Sequence, residues 1–169
     1  MARHHYLVAL GSNMRHPRHG PPRRVLAAAF AALDHGRQDV LAISRVIETP
    51  PLGPSRRRYA NAAALVRSKR TPHEMLARLH KIERRFGRRR TGSAWRARVL
   101  DLDIVLWSGG AFAGHDGKAD LVIPHPFFRA RRFVLDPAAQ IAGGWRDPLT
   151  GLSIRQLRAR LTKPRAAPR

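Results

Sequence analysis

The chain has no cysteine and few acidic residues, and both absences narrow what it can do. Without cysteine among its 169 residues, it has no disulfide, no thiolate zinc site and no cysteine nucleophile. Only 11 Asp and Glu residues stand against 33 Lys and Arg residues, which gives a formal net charge of +22. Such a charge attracts anionic partners, either nucleic acid or small anionic molecules. The basic residues are spread along the whole chain, which argues against a dedicated nucleic-acid groove.

Long apolar runs are also missing. The N-terminal run over residues 6–10 is too short for the core of a signal peptide or for a membrane span, so we expect a cytoplasmic protein. Hydrophobic residues make up 43% of the chain, enough to bury one core. We expect a single domain over residues 1–162 and a basic, disordered tail over residues 163–169.

Hydrophobic periodicity predicts six main elements in the order β-α-β-β-α-β. We expect strands over residues 6–10, 40–49, 59–66 and 100–106, and the first helix over residues 23–35. The second helix has the clearest start, because Thr71 is a candidate N-cap, Pro72 suits the first helical position and Glu74 completes a capping box. Its predicted buried face, before Gly87 ends the helix, consists of Met75, Leu79, Ile82 and Phe86.

The remaining sequence predicts additions to this unit. We expect a hairpin over residues 112–123 that turns at Asp116 and Gly117, short helical pieces up to residue 142, and a last helix capped by Ser153. The predicted apolar residues of that last helix are Ile154, Leu157 and Leu161. The order predicts an α+β fold, a ferredoxin-like β-α-β-β-α-β sandwich with a C-terminal hairpin and helical additions.

Two aspartates lie one residue apart in the last predicted strand of this unit. Asp101 and Asp103 alternate with apolar residues, a pattern typical of a half-buried strand that directs both carboxylates to one side. The alternating apolar residues are Leu100, Leu102, Ile104 and Leu106. Two hard oxygen ligands on one strand suit Mg²⁺ bound with a polyphosphate. Two solvated acids on an exposed strand face give the same pattern, so the spacing alone leaves both interpretations open.

An arginine-rich segment precedes this strand. Residues 84–98 contain seven arginines and no acid, with Trp95 among them. Guanidinium groups bind phosphate oxygens in a bidentate manner, and a Gly/Ser loop with a tryptophan can close over a substrate. A solvated or RNA-contacting basic loop has the same composition, and that alternative stays open.

Three further features suit a flat heterocycle and a phosphate. Residues 49–54 form a stiff, proline-rich segment whose backbone groups can read the edge of a ring. Tyr59 and Asn61 share one face of the next strand and offer a ring for stacking and an amide for pairing. His125 is held between two prolines, with Arg131 and Phe133 downstream. Each feature alone also has an ordinary structural explanation.

Together these motifs resemble the 6-hydroxymethyl-7,8-dihydropterin pyrophosphokinase family over about residues 6–142. The motifs are Leu-Gly-Ser-Asn at 10–13, Thr-Pro-Pro-Leu-Gly at 49–53, Ile-Glu at 82–83, Arg-Val-Leu-Asp-Leu-Asp-Ile at 98–104 and Ile-Pro-His-Pro at 123–126. The resemblance implies an enzyme of tetrahydrofolate biosynthesis. It would transfer the β,γ-pyrophosphoryl group of ATP to the hydroxymethyl group of the pterin and release AMP.

The resemblance also implies roles for individual residues. Two Mg²⁺ ions would be bound by Asp101 and Asp103, with ATP as co-substrate. The residues implied in catalysis are Arg88, Arg98, Asp101 and Asp103. Those implied in pterin binding are Thr49, Pro50, Leu52, Tyr59, Asn61 and Phe133. Those implied in ATP binding are His80, Glu83, Arg88, Arg90, Trp95, Arg98, Ile104, His125 and Arg131.

Two other functions are weighed against this one. A ferredoxin-like nucleic-acid-binding module would explain the charge, but its functional face would carry two phosphate-repelling aspartates, and the aromatic strand signature of such modules is missing. A phosphohydrolase on the same metal pair would release phosphate from ATP without a pterin. We expect a monomer whose partners are ATP and a reduced pterin, with no membrane or nucleic-acid partner.

Overall fold

Four α-helices and seven β-strands make up the part of the chain that the structure describes. The structure is a computed structural model and describes residues 2–50, 57–87, 98–115, 117 and 120–163. The fold is α+β with an antiparallel main sheet, as the sequence predicts. Within the described helices, none combines the length and the apolar character that a bilayer crossing requires.

The main sheet is built on a central strand, β1 (His4–Ser12). It pairs with β4 (Tyr59–Ser68) on one side and with β5 (Asp101–Trp107) on the other. Beyond β4 lie β2 (Gln38–Ile43) and β3 (Ile47–Thr49), which both pair with β4. The order is therefore β2-β4-β1-β5, and all of these pairs are antiparallel.

The single strand predicted over residues 40–49 is wrong, because the chain divides there into β2 and β3. At the break, Ser44 N donates to the Ala63 carbonyl at 2.9 Å, and Ser44 Oγ accepts from Ala63 N at 2.8 Å. A serine side chain thus replaces one ladder acceptor, as short polar side chains do when they compete with secondary structure. Pairing then resumes in β3, where Thr49 lies opposite Tyr59.

Two helices, α1 (Pro22–Leu33) and α2 (Pro72–Arg85), cover one face of the sheet. The predicted capping box is confirmed, since Thr71 N donates to Glu74 Oε2 at 2.7 Å and Glu74 N donates to Thr71 Oγ1 at 3.4 Å. The predicted apolar face of α2 is buried, as its residues Met75, Leu79, Ile82 and Phe86 show. This main core lies between the helices and one side of the sheet.

The other face of the sheet is covered in part by α3 (Arg132–Ala142), which packs on β4 and on α4 (Ile154–Thr162). Ser153 caps α4 as predicted, and Ile154 and Leu157 are buried. Leu161 also lies in α4, as predicted, and its side chain is 38% exposed near the end of the helix. The second core lies between these helices and the sheet.

A two-stranded hairpin, β6 (Phe112–His115) and β7 (Asp120–Ile123), packs Leu121 and Ile123 against the main core. The hairpin agrees with the prediction over residues 112–123. Asp116, half of the predicted turn, lies outside the described residues, while Gly117 has a φ of +80°.

Strand β5 departs from strict alternation at Val105. Ile104 lies opposite Val8 and Leu106 lies opposite Leu7, so Val105 is an extra residue in β5. Such a β-bulge reverses the side-chain pattern beyond it. Leu106 therefore packs in the second core, and the prediction that it shares a face with Leu102 and Ile104 is wrong.

Candidate functional site

Asp101 and Asp103 lie on the sheet face opposite α1 and α2. Leu102 and Ile104, which alternate with them, are buried in the main core, so period-two geometry directs both carboxylates to the other side. Both aspartates are half-buried, and the side chain of Asp101 is 25% exposed. The carboxylates are therefore accessible at the part of this face that α3 leaves uncovered.

A cross-strand row connects Asp101 to residues predicted to contact a heterocycle. Gly11 on β1 lies directly opposite Asp101 on β5 and directly opposite Asn61 on β4. Because neighbouring strands lie about 4.8 Å apart, Asn61 and Asp101 are separated by about 10 Å across Gly11. Asn61 Nδ2 donates to Thr49 Oγ1 at 2.8 Å, which fixes the amide and brings two of the predicted pterin residues together.

Arg98 is held against the first aspartate. Its Nη1 donates to Asp101 Oδ2 at 2.8 Å. Burial alone would lower the pKa of Arg98, but the negative charges of Asp101 and Asp103, with a smaller effect of Tyr59, outweigh it and raise that pKa. Arg98 is therefore a permanently charged group beside both aspartates.

The backbone of Arg98 is fixed by a residue to which the sequence analysis assigned no role. Arg98 N donates to Asn13 Oδ1 at 2.7 Å, and Asn13 N donates to the Arg98 carbonyl at 3.1 Å. Asn13 is only 3% exposed and directly follows β1. The two residues are 85 positions apart, so no local pattern in the sequence could have indicated this pair.

His125 and Arg131 lie close to this centre. The His125 N–H donates to the Val105 carbonyl at 3.0 Å, so the bulge of β5 holds the loop in place. Burial and then the positive charge of Arg131 lower the pKa of His125, while the charge of Asp101 acts in the opposite direction. The lowered pKa favours the neutral ring, and because Nδ1 accepts from Phe127 N at 3.2 Å, the neutral form has its proton on Nε2.

Aromatic rings surround the Arg131 guanidinium. Its Cζ lies 5.3 Å from the ring centre of Phe127 and 5.6 Å from that of Phe133. Both distances are within cation–π range. Phe133 in turn lines a cleft of about 780 Å³ together with Thr49 and Pro50, so three predicted pterin-contact residues share one cleft. The structure thereby joins the predicted pterin and phosphate residues through Phe133.

The segment that carries His125 and Arg131 is anchored by an ion pair between Arg129 and the buried Asp147, which no local sequence pattern indicates. Arg129 Nε and Nη2 donate to the two Asp147 carboxylate oxygens at 2.7 and 2.8 Å, and the Asp147 side chain is fully buried. Thr150 Oγ1 and Leu149 N also donate to Asp147. Burial alone would raise the pKa of Asp147, but these hydrogen bonds and the charge of Arg129 lower it to about 2.

Three predicted ATP residues lie apart from this face. Glu83 on α2 is 1% exposed, and its Oε1 accepts from Leu102 N at 2.8 Å, which ties the helix to the open edge of β5. His80 precedes it by one helical turn and is half-buried. The Ile104 side chain is buried in the main core, on the side of the sheet away from the two carboxylates.

Four predicted site residues, Leu52, Arg88, Arg90 and Trp95, lie outside the described residues.

The donor set fits Mg²⁺ delivered with a nucleotide. Among the residues that the structure describes, no group of three or more His, Cys, Asp or Glu side chains could hold a metal ion. Two carboxylates are nevertheless the usual protein share of a Mg²⁺ site completed by substrate phosphates and water. Asp101 and Asp103 supply that share, and their exposure leaves room for the remaining ligands.

Comparison with known proteins gives a consistent result. The family model described as 7,8-dihydro-6-hydroxymethylpterin-pyrophosphokinase (HPPK) matches residues 7–143. A 2-amino-4-hydroxy-6-hydroxymethyldihydropteridine pyrophosphokinase from Synechocystis sp. is 36% identical over 156 residues, which cover 91% of this chain and 74% of the relative. The enzyme of the same name from Pseudomonas aeruginosa is 36% identical over 144 residues, covering 83% of this chain and 82% of the relative.

A solved structure shares the fold. The crystal structure of wild-type Plasmodium falciparum HPPK-DHPS has a TM-score of 0.73 and 12% sequence identity, and the match covers 94% of this chain. The match covers 41% of that chain, so this protein spans less than half of its length.

Proposed function

This chain belongs to the 7,8-dihydro-6-hydroxymethylpterin-pyrophosphokinase family, and from that premise we propose which residues carry out its reaction. Its activity is the transfer of a pyrophosphoryl group from ATP to hydroxymethyldihydropterin in folate synthesis. We propose that the transfer takes place on the sheet face of Asp101 and Asp103. We also class the strand order β2-β4-β1-β5 as that of a ferredoxin-like sandwich with C-terminal additions.

The observation that carries the proposal is the row formed by Asn61, Gly11 and Asp101. Asn61 and Thr49 lie at one end and suit the polar edge of the pterin, while Tyr59 and Phe133 supply rings for stacking. Asp101 and Arg98 lie at the other end and suit the nucleotide. The separation of about 10 Å between Asn61 and Asp101 is long enough for the pterin ring with its hydroxymethyl group.

The amide of Asn61 has a defined orientation. Its Nδ2 is used by Thr49, so Oδ1 is the atom left to accept from a ring N–H or amino group of the pterin. Oδ1 also lies toward Gly11, since a Cβ built on that glycine would be 3.5 Å from it. The pterin edge would therefore be read from the space above Gly11.

At the phosphate end, two Mg²⁺ ions held by Asp101 and Asp103 would neutralise phosphate charge and keep the attacking and leaving oxygens in line. Arg98 has five N–H donors, more than its bond to Asp101 uses, and its raised pKa keeps it charged while it holds a phosphate oxygen. Arg131 supplies a second positive charge, and His125 would donate from Nε2. These groups would stabilise charge that develops on the transferred group.

The proposal also includes predicted contacts that lie apart from this face or outside the described residues. The ATP contacts proposed for this chain further include His80, Glu83, Ile104, Arg88, Arg90 and Trp95. Leu52 belongs with the backbone groups proposed to contact the pterin. A single domain over residues 1–162, a cytoplasmic location and a monomeric state complete the proposal.

Asp103→Asn is the sharpest test of the metal assignment. The substitution removes one negative charge and keeps the shape of the side chain. Asp103 is chosen because the bond from Arg98 Nη1 goes to Asp101, and replacing Asp101 would break that bond as well. We expect AMP release from Mg-ATP in the presence of pterin to fall by about a thousandfold or more, because metal binding contributes several kcal/mol to such transition states. Asp120→Asn is the control, since Asp120 is 87% exposed and pairs with His115 on the hairpin.

Three outcomes would contradict the proposal. Turnover retained by Asp103→Asn would remove the metal role from that residue. Phosphate release from ATP by the wild type without pterin would favour a phosphohydrolase. A salt-resistant, sequence-selective complex in a nucleic-acid gel shift would favour the binding module.

A further inference from the structure

Gly11 occupies a position where glycine is unfavourable for the fold. It lies within β1, and a glycine inside a strand lowers stability compared with alanine because its unfolded state has more freedom. Its φ is not positive, so the backbone conformation does not require glycine. The pairing is also regular here, because Gly11 lies opposite both Asn61 and Asp101 and the register shift of β1 is at Leu7 and Val8.

Packing does not require glycine either. Among the described residues, a Cβ built on Gly11 would meet one atom within 4 Å, Asn61 Oδ1 at 3.5 Å, which is an ordinary van der Waals contact. No backbone atom of the described part of the chain, apart from the two chain neighbours, approaches that closely. Glycine inside a strand marks a bulge, a sharp bend or the close approach of another backbone or a ligand. The regular register excludes a bulge, and no described backbone lies close to the Cβ position, so the space above Gly11 is open to a ligand.

The space above Gly11 is bounded by groups of two kinds. On one side lies the acceptor atom of Asn61, and on the other lies Asp101 with its bound Arg98. We infer that Gly11 is a substrate-positioning residue. The edge of the pterin that bears the hydroxymethyl group would lie against Gly11, between Asn61 and the phosphate end of the site. The inference rests on the proposed function, because it takes the pterin as the molecule that spans the row.

A methyl group at Gly11 would hinder binding of the substrate and leave the packing of the unliganded protein unchanged. It would lift the ring edge away from Asn61 and move the hydroxyl oxygen away from the phosphorus that it attacks. Reacting atoms must come within about 3–3.5 Å, and a displacement of about 1 Å can reduce the rate by about a hundredfold. The effect should therefore fall on pterin binding and on turnover, and it should spare the nucleotide.

The test compares Gly11→Ala with Gly144→Ala. Gly144 is exposed, its φ is not positive, and a Cβ there would meet no described residue within 4 Å, so it is a matched control away from the site. Pterin affinity is measured by titration calorimetry with Mg²⁺ and a non-hydrolysable ATP analogue present, and nucleotide affinity is measured without pterin. AMP release gives kcat and KM, and thermal unfolding gives Tm.

For Gly11→Ala we expect about a tenfold or greater loss of pterin affinity and about a hundredfold loss of kcat/KM for pterin. Nucleotide affinity should stay within about twofold of the wild type, and Tm should be equal or higher, since alanine suits a strand better than glycine. Gly144→Ala should match the wild type in affinity and turnover.

Two results would overturn the inference. Wild-type pterin affinity and turnover in Gly11→Ala would mean that no ligand uses the space above the glycine. A marked fall in Tm would mean that glycine is needed for packing. Failure of the proposed function is a separate result, because it would be seen as a wild type that binds the nucleotide but neither binds pterin nor releases AMP with it.

Discussion

Replacing Asp147 with asparagine should destabilise the protein in a pH-dependent way. The carboxylate is fully buried and accepts four hydrogen bonds, two from Arg129, one from Thr150 and one from Leu149. These contacts depress its pKa from 3.8 to about 2. A depression of this size corresponds to about 2 kcal/mol of folding free energy at neutral pH.

The pH dependence of this stabilisation follows from the lowered pKa of Asp147. Because the folded-state pKa lies below the unfolded value, the contribution of Asp147 is fully present above about pH 4 and is lost as the pH falls toward about 2. Asp147→Asn removes the charge at every pH and leaves Arg129 against a neutral amide. We therefore expect the variant to be about 2–4 kcal/mol less stable at pH 7.

The assay is urea unfolding of the wild type and two variants at a series of pH values from 7 down to about 2.5. The free-energy gap between wild type and Asp147→Asn should narrow by about 2 kcal/mol across the acid range. Asp120→Asn is the control and should change stability little, because that carboxylate is 87% exposed. A gap that stays constant with pH would refute the reasoning, since it would show that the Asp147 charge contributes nothing.

Two further predictions concern a positioning residue and a helix cap. Asn13→Ala should lower kcat for AMP release by about a hundredfold and change nucleotide affinity less, because it frees the backbone of Arg98. Asn13→Asp keeps an acceptor oxygen for Arg98 N and should retain more activity. Equal activity of the three proteins would count against a positioning role. Thr71→Ala should lower the free energy of unfolding by about 1 kcal/mol, because it removes half of the capping box of α2, while activity per folded molecule in the same assay stays unchanged.

The elements that could be predicted from the sequence are those set by local rules. Helix α2 begins at its cap and ends before Gly87 because Thr71, Glu74 and the glycine act within a few residues of each other. The same holds for the Ser153 cap of α4. The direction of Asp101 and Asp103 also follows from alternation over a few residues, and it survives because the bulge of β5 comes after them.

The features that could not be predicted depend on partners far along the chain. The break between β2 and β3 is made by Ser44 with Ala63, and the position of Arg98 is fixed by Asn13. The bulge at Val105 follows from the pairing of β5 with β1. None of these contacts changes the alternation of apolar and polar residues in the sequence. Alternation therefore predicted one strand over residues 40–49 and placed Leu106 on the wrong face of β5.

Acids are scarce in this chain, so the two aspartates of β5 stand out from the other acidic residues. Outside β5, the acids that the structure describes each contact a backbone amide or a basic side chain of the protein itself, as Asp147 does with Arg129. The others are Asp34, Asp39, Glu48, Glu74, Glu83, Asp120 and Asp136. They therefore serve the fold and leave a strongly positive field.

A nucleic-acid partner is not needed to explain this positive field. A positive surface raises the rate at which anions such as ATP reach the protein, by an amount that falls with ionic strength. At the end of the approach, bare phosphates would be repelled by Asp101 and Asp103, whereas phosphates carrying divalent cations would be attracted by them. Under the proposed function, the field would collect nucleotides in general, and the two aspartates would select the metal-bound form beside Arg98 and Arg131.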